Sequence, residues 1–175
     1  VSNNTTLTDL NLSGNDIGKD GTEAIAKALK SNTVLTNLDL YFNKIGLWGA
    51  KAIAEMLMVN KTLTSLDISE NNLTNASGVD TMSGVRAIAE ALKDNTALKT
   101  LIMWNNAIGK DGAIAMADAL FVSNTNTALT TLDFSYNEIG AEGAEAMAKM
   151  LEFNNTLTNL NLSSKKGFGI YDASG

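Results

Sequence analysis

The chain has 175 residues, a formal net charge of −6 from 13 Lys and Arg against 19 Asp and Glu, and neither cysteine nor histidine. That balance disfavours nucleic acid, whose phosphates call for a basic face. The composition also excludes disulfides and thiolate zinc sites, and removes the commonest general base and metal ligand. Hydrophobic residues make up 45% of the chain, enough for a continuous core, yet no run reaches the roughly 18 apolar residues of a membrane span.

The chain opens on VSNNTTL, Val1 to Leu7, which matches KSNTVL at Lys30 to Leu35. The latter follows a helical pattern, so the opening is expected to follow a helix too, as one stretch of a longer array. Then a 28-residue frame begins. Leu7, Leu10, Leu12, Asn15, Ile17 and Gly18 return as Leu35, Leu38, Leu40, Asn43, Ile45 and Gly46, then as Leu63, Leu66, Ile68, Asn71 and Leu73. Leu98, Leu101, Met103, Asn106, Ile108 and Gly109 form a fourth copy, and Leu129, Leu132, Phe134, Asn137, Ile139 and Gly140 a fifth. Leu157, Leu160 and Leu162 start a sixth, in which Lys165 stands where the Asn belongs. Regular self-similarity at this period is the mark of a stack of small units, each burying its apolar face on the next.

Within a unit, the alternation Leu38-Asp39-Leu40 predicts a short strand with one buried face. The Asn that follows can both donate and accept, and is expected to satisfy turn backbone. The Gly three residues later permits a positive φ. The second half turns to helical period: Ala24, Ile25, Ala28 and Leu29, then Ala52, Ile53, Met56 and Leu57, Ala87, Ile88, Ala91 and Leu92, Ala115, Met116, Ala119 and Leu120, and Ala146, Met147, Met150 and Leu151. Asn32, Asn60, Asn95 and Asn154 sit where a helix C-cap favours Asn or Gly.

The pattern LxxLxLxxNxIGxxGAxAIAxALxxNTTL closely resembles leucine-rich repeats of the ribonuclease-inhibitor type, over roughly residues 1–164. The resemblance implies an α/β fold: a right-handed solenoid or horseshoe, parallel strands on the concave face and helices on the convex face. Its members include ribonuclease inhibitor, the arms of NOD-like receptors, activators of the Ran GTPase and injected bacterial effectors. It therefore implies an intracellular protein that recognises other proteins. Residues 165–175, Gly-rich and without a helical stripe, are expected to be a tail or a cap.

Two spacings break the rhythm. Leu63 to Leu98 carries seven extra residues, placed near 75–81, and Leu98 to Leu129 three extra, placed near 124–127. Both are expected to be loops, and loops in repeat arrays often carry binding. At one helix start, Trp48 replaces the polar residues of other units and is expected to pack on the 75–81 insertion.

Catalytic and ligand motifs do not hold up. Gly18-Lys19-Asp20-Gly21 lacks the G-x-x-x-x-G-K-S/T spacing of a phosphate loop and recurs as repeat punctuation. Asn75, Ser77 and Asp80 lack the acidic order of a calcium loop. The N-x-S/T sequons belong to the repeat. No catalytic residue, cofactor or metal is expected.

Parallel alignment turns the remaining positions into a surface. One concave column reads Asn11, Asp39, Asp67, Ile102, Asp133 and Asn161; the next reads Ser13, Tyr41, Ser69, Trp104, Ser135 and Ser163. One step on, Phe42 and Tyr136 stand among Gly14, Glu70, Asn105 and Ser164. Asp39, Tyr41, Phe42, Asp67, Ile102, Trp104, Asp133 and Tyr136 are thus the candidate partner-binding residues, since aromatic anchors beside charges are the composition of interface hot spots. The expected function is non-enzymatic recognition of a protein with a basic or mixed surface. Regulation of a small GTPase, or service as the binding arm of an effector or receptor, is the alternative. Neither nucleic acid nor membrane is an expected partner. The outer edge at Leu10 and Leu12, lacking a preceding helix, leaves an end-to-end dimer open.

Overall fold

The computed structural model describes residues 4–74, 81–122 and 128–164. Strands and helices alternate along the chain: β1 (Asp9–Asn11), α1 (Gly18–Leu29), β2 (Asn37–Asp39), α2 (Gly46–Val59), β3 (Ser65–Asp67), α3 (Ser83–Asp94), β4 (Thr100–Ile102), α4 (Gly109–Val122), β5 (Thr131–Asp133), α5 (Gly140–Leu151) and β6 (Asn159–Asn161). The six strands form one parallel sheet in sequence order. Parallel neighbours need a crossover, and one helix per unit supplies it. The result is an open leucine-rich-repeat solenoid, strands inside the curve and helices outside.

Register follows the frame. Leu10, Leu38, Leu66, Leu101, Leu132 and Leu160 lie opposite one another across the sheet. The insertions leave this register intact because connections absorb them. One falls between Leu73 and the start of α3 at Ser83, the other between Leu120 and Leu129. The inserted residues 75–80 and 123–127, like the tail 165–175, lie outside the described residues.

The inner strand leucines Leu66, Leu101 and Leu132 are fully buried, as are Ile68, Met103 and Phe134 two residues on. At both ends the seal is incomplete: Leu10, Leu12, Leu160 and Leu162 are only partly covered. Leu151, in the predicted stripe of α5, is exposed for the same reason: no described helix packs beyond it. The helical stripe also differs in phase from its prediction in α1. Ala24 is exposed and Ala26 buried, with Thr22 and Leu29 completing an i, i+4, i+7 face. Ala54, Ala89 and Ala117 repeat that burial, while Ala52, Ala87, Ala115 and Ala146 flank the core partly covered.

Two asparagine ladders close the edges of the sheet. At the strand-to-helix edge, Asn71 Nδ2 donates to the carbonyls of Leu40 (2.8 Å) and Ser69 (2.9 Å), and its Oδ1 accepts from Asn43 N–H (2.7 Å) and Ile45 N–H (3.3 Å). Asn43, Asn106 and Asn137 repeat the scheme. This is the predicted role of the frame Asn, extended from one unit to the next. The second ladder adds to an expectation. Asn60 and Asn95 stand at the C-caps of α2 and α3, as their position predicts, but with extended backbone, φ of −73° and −80°, rather than the left-handed form common there. Asn60 Nδ2 donates to Leu29 O (2.8 Å), a helix-end carbonyl of the preceding unit, while its Oδ1 accepts from the N–H groups of Thr62 and Leu63. Asn95 and Asn154 do the same to Leu57 O and Leu120 O. Helix ends leave orphan carbonyls, and here the neighbouring repeat supplies the donor.

Helix starts are met in the same way. Gly46 adopts φ +63° and its N–H donates to Asn71 O at 3.0 Å, so α2 begins without a side-chain cap. Gly84 is required for a different reason. A Cβ there would lie 2.9 Å from both Ala50 Cβ and Leu47 O, so α3 approaches α2 too closely for a larger residue.

Candidate protein-recognition face

Residues between the buried leucines point into the curve, so the register places Asp39, Asp67, Ile102 and Asp133 side by side on β2 to β5. The positions two residues on bring Tyr41, Ser69, Trp104 and Ser135 into a second column. The rings of that column meet. Tyr41 stacks on Trp104 with centroids 5.5 Å apart and 30° between planes, closing over the small Ser69 of the intervening unit. Phe42 lies against Tyr41 at 6.0 Å, and Tyr136 meets Trp104 edge-on at 6.3 Å. Phe42, Tyr41, Trp104 and Tyr136 thus form one continuous row across four units. Ser69 beneath it is fully buried, and its Oγ has no hydrogen-bond partner among the described residues.

Phe42 and Tyr136 are 52% and 40% exposed, and both adopt left-handed backbone, φ +52° and +56°. The fold imposes that conformation on each of the first five units at this position, since Gly14, Glu70 and Asn105 share it. Gly and Asn suit it; an aromatic ring there costs about 1–2 kcal/mol. The frame therefore does not ask for these rings.

Hydrogen bonds hold the acidic column. Asp39 Oδ1 accepts from Tyr41 N–H and Asp67 Oδ1 from Ser69 N–H, each at 2.9 Å. Asp133 accepts from Ser135 N–H and Oγ and from Asn161 Nδ2. No ion pair among the described residues reaches Asp39, Asp67, Asp133 or Glu70. Burial pushes the Asp67 carboxyl above its ordinary pKa, Ser69 opposes that shift through its side chain and its N–H, and the Asp39 and Asp133 charges reinforce it. Burial, then the neighbouring Glu70 carboxylate, likewise raises the Tyr41 hydroxyl. Asp39 and Asp67 also line a shallow depression of about 290 Å³ over β1 to β3, with Asp9, Asn37 and Ser65 on its wall. The column to which Asp9, Asn37 and Ser65 belong was absent from the sequence reading, although its residues directly precede the buried leucines. Ile102 interrupts the acids at β4, directly between Asp67 and Asp133.

Trp48 lies apart from this face. It is 57% exposed on the convex side, with Lys51 Nζ 4.5 Å from its ring centroid. It lines a groove with Glu23, Lys27 and Lys30 of the α1 region. Its expected partner, the 75–81 insertion, lies almost wholly outside the described residues. No described helix is long and apolar enough to cross a membrane.

A curved parallel sheet with one open face and a helical back defines a repeat solenoid. The leucine-rich repeat family profile matches residues 3–26, 31–54, 59–79, 94–117 and 125–148, and the chain belongs to that family. Among solved structures it is similar to leiomodin-1 actin-binding site 2, at 25% identity and a TM-score of 0.60, over 83% of this chain and 81% of that one. It is also similar to the tropomodulin C-terminal domain of Caenorhabditis elegans, at 16% identity and a TM-score of 0.64, over 85% of this chain and 87% of that one. The second likeness speaks for the fold alone. No curated protein matches the chain.

Proposed function

We propose that the chain is a non-enzymatic recognition module that binds a protein partner on its concave face, with residues 1–164 as the binding unit and 165–175 as its tail or cap. The observation that carries this reading is the continuous aromatic row of Phe42, Tyr41, Trp104 and Tyr136 beside carboxylates that have no ion-pair partner among the described residues. Aromatic anchors at the centre of a surface, flanked by charge, are where binding energy concentrates. The acids favour a basic partner surface and steer its approach. Selection of binders from a phage-displayed library of random twelve-residue peptides tests the reading. Selected peptides should be rich in Lys, Arg and apolar residues, and Trp104→Ala should weaken them by about 2 kcal/mol or more. A pool of acidic peptides, or one indifferent to Trp104→Ala, contradicts it.

A second reading concerns the identity of the partner. The leiomodin-1 structure is named for an actin-binding site, which makes actin the first protein to try. Co-sedimentation with filamentous actin, lost on Trp104→Ala, supports that identity; absence of co-sedimentation removes it and leaves the concave-face reading intact.

A further inference from the structure

The two columns of the concave face differ in chemistry and run in parallel. Asp39, Asp67 and Asp133 occupy one, interrupted by Ile102; Tyr41 and Trp104 occupy the other, extended at its ends by Phe42 and Tyr136. Two residues of strand separate them, about 6–7 Å. Both columns span β2 to β5, three strand spacings, or about 14 Å. That is the length of four to five residues of extended chain. An extended chain also turns successive side chains to opposite sides. A segment lying across the strands, between the columns, therefore presents alternate residues to the acids and to the rings.

Resting on the concave-face reading above, we propose that the face seats an extended segment of about five residues laid across β2 to β5, with Lys or Arg turned to Asp39, Asp67 and Asp133 and apolar side chains turned to the aromatic row. Charge complementarity commits this occupant. The acids have no cation among the described residues, and the shallow depression at Asp39 and Asp67 leaves room for a cationic head. The rings give the opposite edge an apolar bed, on which the apolar side chains of the segment pack. Ile102 supplies an apolar break, so the cations fall opposite β2–β3 and β5. Phe42 and Tyr136, placed at a position whose backbone disfavours them, bound the row at its two ends and set the length of segment that fits.

The test compares three fluorescein-labelled seven-residue peptides by fluorescence anisotropy at low and physiological salt. One alternates Lys and Leu, one has the same composition with the Lys grouped at one end, and one alternates Glu and Leu. The alternating Lys peptide should bind at least tenfold tighter than the grouped one and lose affinity as salt rises, while the Glu peptide should not bind. Phe42→Asn and Asp67→Asn should each weaken the alternating peptide about fivefold or more, and Trp48→Ala should leave it unchanged. Equal affinity for the alternating and grouped peptides overturns the proposal, as does failure of the alternating peptide to bind. If both Lys peptides bind equally and Trp104→Ala abolishes both, the concave-face reading survives and only the crosswise geometry falls. If Trp104→Ala affects neither, both fail.

Discussion

The two sides of the same six strands follow opposite rules. The side facing the helices repeats itself: a leucine at the centre of every strand, buried in β2 to β5, then Leu40, Ile68, Met103 or Phe134 at one further position, all buried. The side facing the curve varies from unit to unit. Its second column changes from Tyr41 to Ser69 to Trp104 to Ser135. Packing density explains the first rule, since a buried methylene changes stability in any unit. Packing does not explain the second, because Phe42 and Tyr136 occupy left-handed backbone at a cost to folding. Repetition marks what the solenoid needs, and departure from it marks what the surface is for.

Substitutions on the two sides should therefore separate stability from binding. On the buried side, Leu66→Ala opens a cavity in the centre of the sheet and should cost about 2–5 kcal/mol of stability, read by urea denaturation. A melt unchanged by that substitution would break the comparison outright. At the edge, Asn71→Ala removes a side chain that serves four backbone groups. It should cost about 3 kcal/mol, because buried partners are left unsatisfied; Asn105→Ala, on an exposed residue beside it, should cost far less.

On the concave side the sign is expected to reverse. Phe42→Asn relieves a left-handed aromatic residue at a position Asn105 already occupies in another unit. Thermal unfolding should show an unchanged or raised Tm, by up to about 1 kcal/mol of stability. A clear fall in Tm would mean that its contact with Tyr41 holds the fold, and would blur the comparison. The smallest effect is the pH dependence of Asp67. Its carboxyl is raised in the folded state, chiefly by burial, so the folded protein binds the proton more readily than the unfolded chain. Its ionised form therefore costs stability above the folded pKa, and that cost is relieved as pH falls through it towards 3.8. Asp67→Asn should gain Tm over the wild type at pH 7, with the gain shrinking as the pH approaches 4. A gain independent of pH would show that the carboxylate charge is not its source.

The fold was legible because a period of 28 is redundant: six copies of L-x-x-L-x-L fix the strand register even where insertions shift the spacing to 35 and 31. The concave columns followed from that register. What escaped was contact between units. Asn32, Asn60, Asn95 and Asn154 recur as visibly as the frame Asn, but within one unit they read as helix caps; only stacking shows that they bond the carbonyls of the preceding helix. The phase of α1 slipped because alternating Ala residues offer two equally apolar faces, and only packing chooses Ala26 over Ala24. The strain at Phe42 and Tyr136 had a signal, since Gly14 and Asn105 share their column, and both are residues suited to positive φ.

The most direct test of the division between the two sides is a paired measurement on Trp104→Ala: its melting curve, and its affinity for peptides selected on the wild-type protein. Trp104 touches Tyr41 and Tyr136 on an open face, so removing it should change stability by about 1 kcal/mol while weakening binding by about 2 kcal/mol or more. Unchanged affinity, with or without a loss of stability, would contradict the assignment of the concave face to recognition.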